Sequence, residues 1–200
     1  MRKIILASNN KHKIIEFKEM FKNCEILTLN DIGFLDDIEE NGKTFLENAK
    51  IKAEATKKFI DEHNIVGDVI ADDSGLCVDA LNGEPGIYSA RYAGGHGDFE
   101  ACRKKLLDKL KGKTNKDAYF ETVLYEIKSD GTIITANGKT FGQMLEEETG
   151  KKDFCYDCIF YSNELKKSFG ESTLEEKNSV SHRSRAIKNL LDEENKIENM

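Results

Sequence analysis

The 200-residue chain has no tryptophan, a single proline and no long apolar run. A membrane-spanning helix needs about 20 consecutive apolar residues, so no membrane partner is expected. A net charge of −7 argues against binding to nucleic acid, which usually requires a basic surface. A small anionic ligand can still bind to a local basic pocket of an acidic protein. No secretory signal is apparent, so the five cysteines are expected to lie in a reducing cytoplasm.

Helical and strand patterns alternate along the chain. This alternation predicts a mixed α/β fold with a long central sheet, flanking helices and two lobes around a cleft. Residues 1–192 are expected to form one domain, and residues 193–200 a polar tail that frays. Helices are predicted at 14–21, 44–62, 99–110 and 186–191, strands at 4–7, 26–29, 69–71, 119–127 and 132–136, and a short strand or its lead-in at 154–161.

Two adjacent carboxylates, Asp72 and Asp73, follow the apolar run at 69–71. At a strand end they would repel one another and lose hydration, and this cost must be offset. Mg²⁺ would offset it, since proteins hold this ion with one or two carboxylates plus substrate phosphates. The alternative is an exposed acidic turn.

Lysines in two predicted helices lie at positions where they could bind a ligand. Lys11 and Lys13 lie in a first helical turn, where the helix dipole disfavours cations. An anion bound over the preceding loop would remove this conflict, although both lysines could simply be solvated. Asn48 and Lys52, four residues apart, could address one ligand, but the helical pattern alone favours surface positions for them.

Cys155 and Cys158 form a C-x-x-C pair, which can be a redox motif or half of a zinc site. The sequence has no second C-x-x-C pair and no histidine pair with zinc-finger spacing. Buried or chance cysteines are therefore favoured.

Six short motifs follow one another along nearly the whole chain. They are Ser8-Asn9-Asn10-x-x-Lys13, Thr44-Phe45-x-Glu47-Asn48-Ala49-x-x-Lys52, Asp72-Asp73-Ser74-Gly75, Pro85-Gly86-x-Tyr88-Ser89-Ala90-Arg91, Phe154-x-Tyr156-Asp157 and Glu176-Lys177-Asn178-x-x-Ser181-His182-Arg183. In this order they resemble the inosine triphosphate pyrophosphatase family. One such motif would be weak, whereas six in order are specific.

The resemblance implies Mg²⁺-dependent hydrolysis of noncanonical purine nucleoside triphosphates, such as ITP, dITP and XTP, to the monophosphate and pyrophosphate. It also implies a cytoplasmic homodimer with a nucleotide-binding cleft. Asp73 would be the catalytic base. Glu40 and Asp73 would be the metal ligands, supported by Asp72 and Glu47.

The resemblance also implies which residues bind the substrate. An arginine donor facing the 6-oxo group of the base would reject adenine. The triphosphate would be held by Ser8, Asn9, Asn10, Lys11, His12, Lys13, Lys52, Ser74 and Lys177, and the base by Phe154, Cys155, Tyr156, Asp157, His182 and Arg183.

The chain departs from the family pattern at Cys155 and Cys158, where the family usually has glycine and proline. Because these residues constrain a backbone differently, the base pocket is expected to be shifted while hydrolysis survives. Three alternatives stay open: a pyrophosphatase acting on modified pyrimidine triphosphates, a nucleotide sensor with weak or no turnover, and a redox module.

Overall fold

A computed structural model describes residues 1–95, 97–152 and 154–199, which form strands, α-helices and short 3₁₀ segments. None of the described helices is long and apolar enough to cross a membrane. The strands are β1 (Arg2–Leu6), β2 (Cys24–Thr28), β3 (Asp68–Val78), β4 (Asp117–Ile127), β5 (Ile133–Met144), β6 (Phe160–Ser162) and β7 (Lys167–Ser168). The α-helices are α1 (Lys11–Met20), α2 (Phe45–Glu62), α3 (Phe99–Leu110), α4 (Leu174–Val180) and α5 (His182–Glu198).

The strands form one sheet in the order β2-β1-β3-β4-β5-β6-β7. β1 is parallel to β2 and β3, so that Ile4 lies opposite Ile26 on one side and Asp68 on the other. β6 pairs antiparallel with β5 and β7. The predicted mixed α/β fold with a long central sheet and flanking helices is therefore confirmed.

The chain divides into two compact units, each built from separate stretches of sequence. Unit 1 contains Met1–Asp73, Thr122–Asn137 and the chain from Ala186 onward, and unit 2 contains Ser74–Glu121 and Gly138–Arg185. β3, β4 and β5 each contribute residues to both units.

In unit 1, helices cover both faces of β3. Ile70 belongs to an apolar cluster with Phe17 of α1 and Leu190 of α5. Its neighbours Val69 and Ala71 belong to a second cluster, which contains Ala49 and Ala53 of α2. Successive side chains of a strand point to opposite faces, so a continuous apolar run suits a strand that is buried on both sides.

The core of unit 2 is rich in aromatic rings. Phe160 lies between two other phenylalanines, with ring centroids 4.7 Å from Phe120 and 5.1 Å from Phe169. Leu106 and Leu110 of α3 join this cluster. Such edge and tilted ring contacts add to the stabilisation that burial alone provides.

Several elements differ from the prediction. β5 continues to Met144 because alternate residues from Gly138 onward are buried, although glycine and threonine hide the alternation. Gly142 has no room for a side chain, since a Cβ there would lie 2.2 Å from the Tyr161 carbonyl oxygen. The predicted polar tail at 193–200 is helical as far as Glu198, and Met200 lies outside the described residues.

Candidate functional site

A carboxylate–lysine cluster lies in unit 1 around Asp73. The Asp73 carboxylate is buried and accepts a hydrogen bond from Asn48 Nδ2, which lies 3.0 Å from Oδ2. Lys52 Nζ lies 3.8 Å from Asp73 Oδ1 and 3.2 Å from Glu40 Oε1. Burial raises the pKa of the Asp73 carboxyl, and the positive charges of Lys52 and Lys13 partly offset this shift.

Asp72 belongs to the same cluster but faces a different helix. Its Oδ1 accepts a hydrogen bond from Lys13 Nζ of α1, at 2.9 Å, whereas Asn48 and Lys52, which contact Asp73, lie on α2. Adjacent residues of a strand point to opposite faces. The predicted position at a strand end, and the alternative of an exposed acidic turn, are thus wrong: both acids are buried inside β3, which continues through the buried residues 75–78.

Asn48 and Lys52 are buried on α2, so the surface positions favoured by the helical pattern are wrong. The Asn48 side chain joins two parts of the unit, because its Oδ1 accepts from the Gly42 amide at 2.9 Å while its Nδ2 donates to Asp73. A Cβ on Gly42 would lie 2.6 Å from Asn48 Oδ1. Asn48 was not among the predicted site residues, and its four-residue spacing from Lys52 was the available signal.

The first turn of α1 is capped by a side chain. Asn10 Oδ1 accepts hydrogen bonds from the backbone amides of His12, at 3.0 Å, and Lys13, at 3.4 Å. This is the usual role of an N-cap asparagine. The Asp72 carboxylate offsets the unfavourable interaction of Lys13 with the helix dipole. Binding of an anion over this loop stays a prediction.

The other predicted phosphate ligands of this loop lie beside the cap. Ser8 Oγ accepts from the Asn10 amide at 3.2 Å, and Asn9 Oδ1 accepts from the Asn30 amide at 2.9 Å. Lys11 and His12 are exposed at the start of α1. The loop is thus held in shape by its own side chains.

Glu47, predicted as a supporting metal residue, is exposed in the first turn of α2. Its carboxylate accepts from the Lys43 amide at 2.5 Å, and its own amide donates to the N-cap Thr44 at 3.1 Å. These contacts order the start of the helix that carries Asn48 and Lys52.

The donor set of this cluster fits a hard divalent cation. Glu40 and Asp73 offer carboxylate oxygens on either side of a lysine ammonium, so the position between them already attracts positive charge. The described residues contain no group of three or more His, Cys, Asp or Glu side chains arranged to hold a metal. Two carboxylates suffice for Mg²⁺ when substrate phosphates complete its coordination.

A second group of predicted residues, the aromatic–cation cluster, lies in unit 2. Its centre is Lys177 of α4, whose Nζ donates to Asp157 Oδ2 at 2.7 Å. The same ammonium lies 4.3 Å from the centre of the Phe154 ring. Both charged side chains are largely buried, where an ion pair and a cation–π contact are strongest.

His182 and Arg183 begin α5 and are also buried. The His182 ring stacks on Phe120, with centroids 4.9 Å apart and planes 16° from parallel. Arg183 Nη2 donates to Ser74 Oγ at 3.3 Å. A buried guanidinium with several N–H donors is well suited to recognise oxygen atoms.

The residues between Phe154 and Asp157 face the core of unit 2. Tyr156 donates its hydroxyl to the Ser89 carbonyl oxygen at 2.9 Å. Cys155 and Cys158 are free thiols, and burial raises the pKa of both. Protonated thiols are poor nucleophiles and metal ligands, which agrees with the interpretation of this pair as buried cysteines.

Carboxylates and lysines gathered in one place can bind a metal ion and balance the charge of phosphate groups. The chain belongs to the Ham1 family, whose model matches residues 4–193. The resemblance to the inosine triphosphate pyrophosphatase family, drawn from the six motifs, is confirmed by relatives that are named dITP/XTP pyrophosphatase.

One such relative is the dITP/XTP pyrophosphatase of Clostridium perfringens, 47% identical over 199 residues, which cover 96% of this chain and 97% of that protein. Another is the dITP/XTP pyrophosphatase of Campylobacter jejuni, 40% identical over 188 residues, covering 92% and 93%. The solved Staphylococcus aureus Ham1 protein is 41% identical with a TM-score of 0.82, covering 94% and 95% of the two chains. A HAM1 protein from Coxiella burnetii is 34% identical with a TM-score of 0.83 and the same coverage.

Proposed function

We propose that this chain hydrolyses noncanonical purine nucleoside triphosphates, such as ITP, dITP and XTP, to the monophosphate and pyrophosphate. The names of its relatives support this substrate class. The observation that carries the reaction is the buried Asp73 carboxylate, held by Asn48 and close to Lys52.

In this proposal Asp73 is the general base. It accepts a proton from a water molecule while the water oxygen forms a bond to the α-phosphorus. The bond from the α-phosphorus to the oxygen that bridges it to the β-phosphorus breaks, and pyrophosphate leaves with that oxygen. A raised pKa suits the role, because a carboxylate with a higher proton affinity is the stronger base.

Charge neutralisation is the second requirement, since phosphoryl chemistry depends mainly on positioning and electrostatics. Lys13 and Lys52 supply positive charge, and Asp72 holds Lys13 in place. We also propose that Glu40 and Asp73 hold Mg²⁺, with Glu47 in support. When bound, the ion would neutralise phosphate charge and polarise phosphoryl oxygens. Ser8, Asn9, Asn10, Lys11 and His12 stay proposed triphosphate contacts.

The base is the proposed ligand of residues in unit 2. Phe154 would stack on it, and Asp157, His182 and Arg183 would bind its edge. A guanidinium donates hydrogen bonds and accepts none, so it favours a 6-oxo purine over adenine, whose 6-amino group is itself a donor. Lys177, Ser74, Cys155 and Tyr156 stay proposed substrate contacts as well.

The decisive experiment measures pyrophosphate release from ITP, dITP, XTP, ATP and GTP, with Mg²⁺ and with excess chelator. We expect release from the first three to be far faster, and to stop with chelator. Asp73→Asn should abolish release and keep the fold. Asp61→Asn is the matched control, because Asp61 is an exposed acid on α2 that pairs with Lys57, and it should retain activity.

Other outcomes would assign one of the alternatives. Faster release from modified pyrimidine triphosphates would assign the related pyrimidine activity. Tight ITP binding without release would assign a sensor. Full activity of the Asp73→Asn protein would refute the role of Asp73 while leaving the reaction itself in place.

The assembly and location implied by the family resemblance are proposals too. We propose a homodimer in the cytoplasm. Light scattering coupled to size-exclusion chromatography should give twice the chain mass of 22.6 kDa. Cell fractionation checks the location.

A further inference from the structure

The segment 154–159 carries Phe154, proposed to stack on the base, and Asp157, proposed to bind its edge. A buried arginine holds the backbone of this segment. Arg103 of α3 donates from Nη1 to the carbonyl oxygen of Cys155 at 3.0 Å. It also donates from Nε to Glu148 Oε1 at 2.6 Å. From these contacts we infer that Arg103 is a positioning residue that fixes this segment for base recognition. The inference rests on the proposed function.

The burial of Arg103 is the first argument. Its side chain is only 6% exposed, and removing a charge from water costs free energy unless partners replace the lost hydration. Glu148 supplies the opposite charge. The second partner is the backbone carbonyl of Cys155, the residue after Phe154. The guanidinium therefore holds the backbone of the segment at a fixed place relative to α3.

The geometry of the contact requires arginine. The two partners are bound through different nitrogen atoms of one planar group, which sets the direction of each bond. A lysine ammonium is a single point charge on a flexible stem. It could neutralise Glu148, but it would not hold the Cys155 carbonyl at the same time.

Other bonds anchor the same segment at alternate points. Tyr156 donates its hydroxyl to Ser89, and the Thr149 amide donates to the Cys158 carbonyl oxygen at 2.8 Å. Asp157 lies between Tyr156 and Cys158, and Phe154 directly precedes Cys155; the side chains of both contact Lys177. The backbone is thus fixed at residues that face the core, and the side chains beside them are presented for binding.

The first test is steady-state kinetics with Arg103→Met and Arg103→Lys. Loss of one charged hydrogen bond is worth about a tenfold change in an equilibrium constant. We therefore expect KM for ITP to rise roughly tenfold in both variants, with kcat within about threefold of wild type. The preference for ITP over ATP, as a ratio of kcat/KM, should fall by a similar factor.

Two further variants separate positioning from a general loss of structure. Lys104→Met removes an exposed lysine from the next position of α3 and should change neither constant. Glu148→Gln keeps an acceptor for Nε and leaves the bond to Cys155, so its KM should change less than that of Arg103→Met. Equal effects of Glu148→Gln and Arg103→Met on KM would overturn the assigned role.

A second readout needs no turnover. The sequence has no tryptophan, so Phe154→Trp introduces a single fluorescent reporter into the segment. We expect acrylamide to quench this indole roughly twofold more efficiently when Arg103→Met or Arg103→Lys is added, because the backbone beside it is released. Lys104→Met should leave quenching unchanged.

The two readouts distinguish failure of the inference from failure of the proposed function. If the wild-type protein releases no pyrophosphate from ITP, the proposed function fails, and quenching still decides whether Arg103 orders the segment. Unchanged quenching together with an unchanged KM and base preference would overturn the inference while the activity stands. Should Arg103→Met fail to fold, Arg103→Lys retains the charge beside Glu148 and gives the same two measurements.

Discussion

The guanidinium of Arg2 binds both carboxylate oxygens of Glu194, with Nη1 3.1 Å from Oε2 and Nη2 2.6 Å from Oε1. The same group donates to Asp68 at 2.8 Å and to Glu126. Lys128 lies 3.9 Å from Glu194. Three acids from β3, β4 and α5 therefore share one arginine and a more distant lysine, which leaves an excess of negative charge when all three are ionised.

Glu126 is expected to make stability depend on pH. Burial and the neighbouring Glu194 carboxylate raise its pKa from 4.5 to about 8. The folded chain thus keeps a proton on Glu126 over a range in which the unfolded chain has lost it. Its contribution to stability is complete below about pH 4.5 and is lost as pH rises toward about 8.

Glu126→Gln tests this, because an amide has the shape of the protonated acid and does not ionise. We expect the variant's free energy of unfolding, relative to wild type, to increase by roughly 1–3 kcal/mol between about pH 5.5 and about pH 8.5. Urea unfolding at both pH values gives the comparison. Glu164→Gln, at an exposed pair with Arg185, should show no such trend. If the difference in free energy of unfolding between Glu126→Gln and wild type were the same at both pH values, the raised pKa of Glu126 would be contradicted.

Asn48→Ala should weaken both stability and turnover. The change removes the donor to Asp73 and leaves the Gly42 amide without the acceptor it has in Asn48. We expect a loss of about 1–3 kcal/mol in the free energy of unfolding and a fall in kcat of roughly tenfold to a hundredfold. Chemical denaturation and pyrophosphate release measure the two effects. Asn195→Ala, at an exposed position of α5, is the control, and equal behaviour of the two variants would refute the prediction.

Gly42→Ala should be harmful because there is no space for a methyl group. The added Cβ would lie 2.6 Å from Asn48 Oδ1 and 2.7 Å from Glu47 Cβ. Overpacking of this kind costs about 1–3 kcal/mol and should also lower kcat through Asn48. Gly95→Ala is the matched control, since its Cβ would meet open space. It should change the free energy of unfolding by no more than about 0.5 kcal/mol. Thermal unfolding of the two proteins side by side settles the question.

Cys158→Ala should lower stability and spare turnover. The thiol is fully buried, so the change leaves a small cavity that costs roughly 1–2 kcal/mol. Because burial raises the pKa of this thiol, we expect no role for it as a nucleophile. Pyrophosphate release should be insensitive to a thiol reductant in both proteins. Loss of activity in a folded Cys158→Ala protein would revive the redox alternative.

Much of the fold could be predicted because the relevant patterns are local. α2 and β4 have strong periodicities, and the structure confirms both. The extent of β3 could not be predicted, because Ser74 and Gly75 are turn-forming residues that here continue a strand. α4 has only seven residues, too few to show a helical period, and its visible signal was the capping box formed by Thr173 and Glu176.

The site residues, too, fall into those that the sequence could predict and those that it could not. Local motifs identified Lys52 and Asp73, and the family resemblance added Glu40; the structure places all three within one cluster. Asn48 is bonded to a loop at Gly42. The helical end of the chain is bonded to its beginning, through Arg2 and Glu194, which lie 192 positions apart. Arg103 belongs to no motif. Its contacts connect α3 to distant segments, so periodicity and spacing carry no sign of them.

Asp72 and Asp73 are consecutive in sequence, yet their side chains are hydrogen-bonded to different helices, Asp72 to α1 and Asp73 to α2. A substitution on α1 can therefore remove the hydrogen bond of Asp72 and leave that of Asp73 in place, and a substitution on α2 can do the reverse. The two acids remain linked through charge, because Lys13 also lowers the pKa of Asp73, so the loss of this one lysine would be felt at both carboxylates.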